Sequence, residues 1–160
     1  MNKKLPDDLS IGVVELNVFS LENITAFYND KLQLDIIEST QNFTILGHGK
    51  NPLIRLNDER KLKSLLREDA GLYHFALVHE FQSELAKKID HIFKTAPNNF
   101  QGSADHLVSE DFYFEDPEGN GIELYFDRPR SEWQWDGDHI RMGSIFIDPE
   151  EYIETPMKDS

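Results

Sequence analysis

The chain is predicted to adopt an α+β fold made of two βαβββ modules in tandem. Three observations carry the prediction. One order of strand-like and helix-like segments occurs twice. The two copies can be aligned, "VVELNV" from Val13 lying over "HFALV" from His74, and "LIRL" (53–56) over "GIEL" (121–124). The offset of roughly 60 residues accommodates one such module per copy, and each module alone would expose an apolar sheet face, so pairing is expected.

The elements follow in order. "IGVVELNV" (11–18) is rich in β-branched residues and reads as a strand. In "SLENITAFYNDKLQL" (20–34), Leu21, Ile24, Phe27, Tyr28 and Leu32 recur at helical spacing behind Ser20, a suitable N-cap. "DIIEST" (35–40), "NFTILGHG" (42–49) and "PLIRLND" (52–58) are short strand candidates separated by polar or Gly/Pro punctuation. These make a first module over 10–58. The charged run 59–70 reads as a connector. The order then restarts over 71–127, with a strand in "GLYHFALV" (71–78) and an amphipathic helix in "FQSELAKKIDHIFKTA" (81–96) that sets Leu85, Ile89, Ile92 and Phe93 on one face. "HLVSEDFYFED" (106–116) supplies strand material, "DPEGNG" (116–121) is a turn, and "IELYFD" (122–127) is the last strand. The remaining segment, 128–160, belongs to neither module. Its two Trp and the run "GSIFID" predict that it packs back on the body.

Composition narrows the function. A hydrophobic fraction of 39% and eleven Phe are globular values, ample for a core. Acidic residues number 30 against 16 basic, a net charge of −14. A surface that negative repels phosphate backbones and anionic headgroups, so neither nucleic acid nor membrane is an expected partner. The chain has no cysteine, which removes disulfides, thiolate chemistry and Cys-rich zinc sites. Lys3 and Lys4 are not followed by an apolar run, and no stretch approaches the roughly 20 apolar residues of a membrane span. A cytoplasmic location is the expectation.

Two residues break the apolar pattern. His74 heads the run "HFALV", and Glu123 stands between Ile122 and Leu124. Taken singly, His74 reads as a core histidine bonded to a neighbour, and Glu123 as the partner of a buried cation; Arg128 is near in sequence but lies past the strand. Glu15 and Arg55 read as an ion pair within the first module, because burying either charge alone would cost several kcal/mol. Tyr73 and Tyr125, beside the two ligand-type residues, are expected to turn into packing.

The strings "GLYHFAL", "DHLVSEDFYFEDPEGNGIELYFDRPRSEW" and "IRMG", set on the doubled βαβββ order, resemble the vicinal oxygen chelate superfamily. That group includes glyoxalase I, fosfomycin and bleomycin resistance proteins, and extradiol dioxygenases. The likeness looks greatest to the N-terminal half of bacterial catechol 2,3-dioxygenases and spans about residues 10–153. The resemblance implies paired modules forming a cupped mixed sheet around a divalent metal, with ligands from the first and last strands of a module. It makes His74 and Glu123 metal ligands. At the corresponding positions of the first module stand Val13 and Arg55, neither a normal ligand.

A His with a carboxylate suits Fe(II), Mn(II), Ni(II) or Zn(II), and the resemblance favours Fe(II) or Mn(II). A third ligand is then needed. Glu15 is the candidate within the chain, as it shares a strand face with Val13; the alternative is a donor from a second chain or from a further module pair. His106 matches the histidine that extradiol enzymes keep beside the metal for acid–base work; its bland reading is a ring bonded to Asp105 or to backbone. The implied function is ring cleavage of a catechol-like aromatic diol, in a homodimer or with a further module pair. Two other readings stand beside it: a non-catalytic binding module with an incomplete metal site, and a glyoxalase or thiol-transferase relative, for which nothing in the chain specifies a thiol cofactor.

Overall fold

A computed structural model describes residues 9–61 and 71–155. The connector expected over 59–70 falls mostly outside that range. The chain divides into two compact units, Met1–Asn29 with Gln33–Leu62, and Lys63–Ser160 with the short run Asp30–Leu32.

The first unit holds strand β1 (Val14–Val18), helix α1 (Leu21–Asp30), and strands β2 (Asp35–Ser39), β3 (Phe43–His48) and β4 (Asn51–Asp58). Its four-stranded sheet has the order β1-β4-β3-β2. β1 and β4 run parallel, whereas the other pairs are antiparallel. Ser20 caps α1 as its position predicts, its Oγ accepting from Asn23 N at 3.4 Å. Alternation decides which side chains enter the core. Leu16 and Val18 of β1, Ile54 and Leu56 of β4, and Ile24 and Tyr28 of α1 are buried. Each such side chain contributes about 1.5–3 kcal/mol relative to exposure.

The second unit repeats the scheme with β5 (Phe75–His79), α2 (Gln82–Thr95), β6 (Phe100–Asp105), β7 (Ser109–Glu115) and β8 (Gly121–Asp127), in sheet order β5-β8-β7-β6. Again first and last strands pair in parallel. Leu85, Ala86, Ile89 and Ile92 of α2 are buried, as are Phe112, Phe114, Ile122 and Leu124 of the sheet. β6 lies where no strand pattern is read from the residues. It is held as an edge strand by an aromatic cluster, with ring centroids 5.0 Å apart for Phe93–Phe100 and 5.6 Å for Phe100–Phe114.

The turn between β7 and β8 is organised by Asp116. Its Oδ1 accepts from Glu118 N and Asn120 N, both at 2.9 Å, and its Oδ2 from Asn120 Nδ2 at 2.8 Å. Gly119 takes φ +85, a conformation that favours glycine.

Beyond β8 the chain forms a small hairpin, β9 (Trp135–Asp136) with β10 (His139–Ile140), and a last helix α3 (Pro149–Glu154). α3 lies against α2, Tyr152 stacks on Phe112 at 4.7 Å, and Tyr152 OH donates to Glu110 Oε2 at 3.0 Å. Among the described residues no helix is long and apolar enough to cross a membrane.

Candidate functional site

The polar residues of the second unit meet on one face of its sheet. β5 and β8 are parallel neighbours with Ala76 opposite Glu123, and β7 sets Tyr113 opposite Glu123 and Asp111 opposite Tyr125. Because side chains alternate, the face carrying Glu123 also carries Asp111 and Tyr113, while Phe112, Phe114, Ile122 and Leu124 point to the core. His74, one residue ahead of β5, joins them.

His74 Nε2 lies 2.7 Å from Glu123 Oε2. Gly121 makes that approach possible, since a Cβ at this position would overlap the Tyr73 carbonyl oxygen and sit 3.0 Å from His74 Cβ. Around the pair, Tyr113 OH lies 3.0 Å from His106 Nε2 and 3.5 Å from Glu123 Oε1. Asp111 is buried beside Glu123 and accepts from Ser109 Oγ at 2.7 Å. Burial, together with the neighbouring Glu123 carboxylate, pushes the Asp111 carboxyl up to about 7. Burial also raises the Tyr113 phenol, and Glu123 and Asp111 add to the effect. A cavity of about 840 Å³ opens beside His74 at the start of β8, lined by Tyr73, His74, Gln101, Tyr113, Asn120 and Ile122 among others. That volume lies within the range of small-molecule sites.

The donor chemistry fits two corners of a metal site. Ligands bound cis at about 2.1 Å stand about 3.0 Å apart, so a 2.7 Å imidazole–carboxylate pair is spaced within a few tenths of an ångström of that need. A cation here would relieve the repulsion between the Asp111 and Glu123 carboxylates. Among the described residues no three His, Cys, Asp or Glu side chains are grouped closely enough to hold a metal ion.

The structure therefore brings together His74, Glu123 and, through Tyr113, His106. It places Glu15 on β1, in the first unit, where the carboxylate accepts from Asn57 Nδ2 at 3.4 Å. Arg55 faces Glu15 in the β1–β4 register, but Asn57 links the two, accepting from Arg55 Nε at 2.9 Å, and the guanidinium lies 3.8 Å over the Phe43 ring.

Arg128 does not pair with Glu123; it donates to Asp105 and Glu110, both at 2.8 Å. Two further expectations are corrected. Tyr73 is exposed and stacks on His74 with centroids 4.7 Å apart, instead of packing in the core. Tyr125, two residues beyond Glu123, shares its face, as a period of two requires. Asp111 and Tyr113 were missed, although the alternation Asp111, Phe112, Tyr113, Phe114, Glu115 signals a strand with one polar face.

No family model matches the chain. It is 35% identical over 156 residues to the catechol-2,3-dioxygenase of Bacillus subtilis (strain 168), a match covering 92% of this chain and 52% of that protein. The chain thus spans about half the length of this relative. Among solved structures, a glyoxylase/bleomycin resistance protein/dioxygenase domain from Frankia sp. EAN1pec superposes with a TM-score of 0.62 at 17% identity, covering 76% of this chain and 94% of that one. Lactoylglutathione lyase from Agrobacterium tumefaciens gives 0.59 at 19%, covering 77% and 96%. With its doubled βαβββ order the chain has the fold of these glyoxalase and dioxygenase structures, and along its matched length it is similar to the catechol-2,3-dioxygenase.

Proposed function

We propose that the protein is a metal-dependent ring-cleaving dioxygenase of the extradiol type, acting on a catechol-like aromatic diol. The observation that carries this reading is the chain of side chains from His74 through Glu123 and Tyr113 to His106, of which His74 and Tyr113 line the cavity. His74 and Glu123 would hold the metal, Fe(II) or Mn(II). A third donor comes from Glu15, from a second copy in a homodimer, or from a module pair equivalent to the relative's other half. When bound, the metal would supply Lewis-acid chemistry for activating a diol.

The chain's own residues do the rest. His106 Nε2 accepts a proton from a diol hydroxyl and later returns it to the opened product. Tyr113 OH lies within hydrogen-bond reach of both His106 and Glu123, so it orients the histidine and bridges it to the ligand side. The exposed Tyr73 ring stacked on His74 offers an aromatic wall at the cavity mouth.

Anaerobic loading with Fe(II) or Mn(II) tests the site. Near-stoichiometric metal in the wild type, lost in both His74→Ala and Glu123→Ala, is expected, with a yellow semialdehyde forming from catechol in air. A wild type that retains no more metal than the variants would sink the reading. In that case the second reading gains, a small-molecule binding module, which the absence of a three-donor group among the described residues and the non-ligand positions Val13 and Arg55 already favour.

A further inference from the structure

We infer that the segment 143–147, beyond the second module, is a positioning element for His106, fixing which ring nitrogen carries the proton. As a contribution to proton transfer this inference rests on the proposed dioxygenase reading; as a statement about the ring it does not.

The geometry at His106 is specific. Nδ1 lies 2.6 Å from the Gly143 carbonyl oxygen. A carbonyl can only accept, and two lone pairs cannot face each other at that distance, so Nδ1 is the protonated nitrogen. In the neutral ring Nε2 then carries the lone pair, and it is Nε2 that faces Tyr113 OH at 3.0 Å. Ser144 Oγ, 3.4 Å from Nδ1, is too distant to compete with the carbonyl.

Gly143 is not held there by this contact alone. Asp105 N donates to Ile145 O at 2.7 Å, Ile145 N to Asp105 O at 3.0 Å, and Gly143 N to His106 O at 3.3 Å, so the segment is zipped antiparallel to the residues that carry the ring. Ser103 Oγ donates to Ile147 O at 2.6 Å, and Asp148 then caps α3. On the opposite side, His106 enters a tight turn. His106 N donates to Ser109 O at 3.0 Å, Leu107 N to Asp105 Oδ1 at 2.7 Å, and Leu107 takes φ +69, unusual for a branched residue. Arg128 clamps both flanks through Asp105 and Glu110. A ring held this tightly on the side away from Tyr113 has Nδ1 committed to the backbone and Nε2 turned to the Tyr113 hydroxyl.

Long-range proton–nitrogen spectra of the full metal-free chain, with ¹⁵N-labelled histidine at about pH 8 where an ordinary imidazole is neutral, test the inference. The signal absent from His106→Gln assigns the residue. The expected result is one tautomer with the proton on Nδ1; a proton on Nε2, or rapid averaging of the two, overturns the inference. Ile145→Pro removes the Ile145 N–H bond and is expected to turn the single tautomer into a mixture, whereas Ile145→Ala, which keeps that bond, leaves it unchanged. If Ile145→Pro keeps the wild-type tautomer, the segment is not what fixes the ring. Because no metal is present in these spectra, failure of metal loading bears on the proposed function and leaves this result standing.

Discussion

Asp111 is buried beside the part-buried Glu123, and burial, with the neighbouring carboxylate, pushes its carboxyl up to about 7, against 3.8 for an ordinary aspartate. The folded chain binds the Asp111 proton more tightly than the unfolded chain does. Its stabilising contribution is therefore full below pH 3.8 and is lost as pH rises through about 7. Asp111→Asn should flatten that loss, so the variant's melting midpoint gains on wild type by a few degrees between pH 5 and pH 8. An equal midpoint difference at both pH values would dismiss the assignment. At this scale the sequence was half legible. His74 and Glu123 stood out because each is polar within an apolar run, whereas Asp111 and Tyr113 sit among other acidic and aromatic residues. Their nearness to Glu123 depends on the β7–β8 register, which no local pattern reveals.

At the scale of elements, Gly121 and Asp116 decide how β8 begins. Gly121→Ala would force the chain at Tyr73 and His74 away from β8, which is expected to cost about 2–3 kcal/mol by overpacking and to part the 2.7 Å pair. Thermal unfolding and metal retention read the two effects separately; a variant unchanged in both would refute the close-approach argument. Asp116→Ala removes an acceptor for three hydrogen bonds in the turn and should cost about 2–3 kcal/mol in chemical denaturation. The strong helices and the "DPEGNG" turn could be read from spacing and turn chemistry alone. β6 could not, because "FQGSAD" carries Gln, Gly and Ser on an edge strand, and its place is set by Phe100 joining Phe93 and Phe114 rather than by alternation. The capped start of α1 was anticipated at Ser20, but the helix ends at Asp30, four residues early, where Gln33 turns to φ +52.

For the whole molecule the governing quantity is a net charge of −14, which opposes compaction. Raising the ionic strength from about 0.02 to 0.3 M with NaCl should raise the melting midpoint by a few degrees. Mn(II) should add a further increase at matched ionic strength that Glu123→Ala abolishes. A Mn(II) effect that the variant retains would mean diffuse screening and not a site. The tandem repeat made the architecture legible from the chain as a whole, since two weak copies of one order are together more specific than either. In both units the first strand lies parallel to the last, β1 beside β4 and β5 beside β8. That pairing governs the order of assembly. A ribosome releases β5 long before β8, so the central partner of His74's strand is missing until nearly the entire second unit has been synthesised. Contacts so distant along the chain are costly to close and form late. The His74–Glu123 pair is therefore a reporter of completed folding: a nascent chain cut short of β8 presents one half of the pair and cannot capture an ion through it.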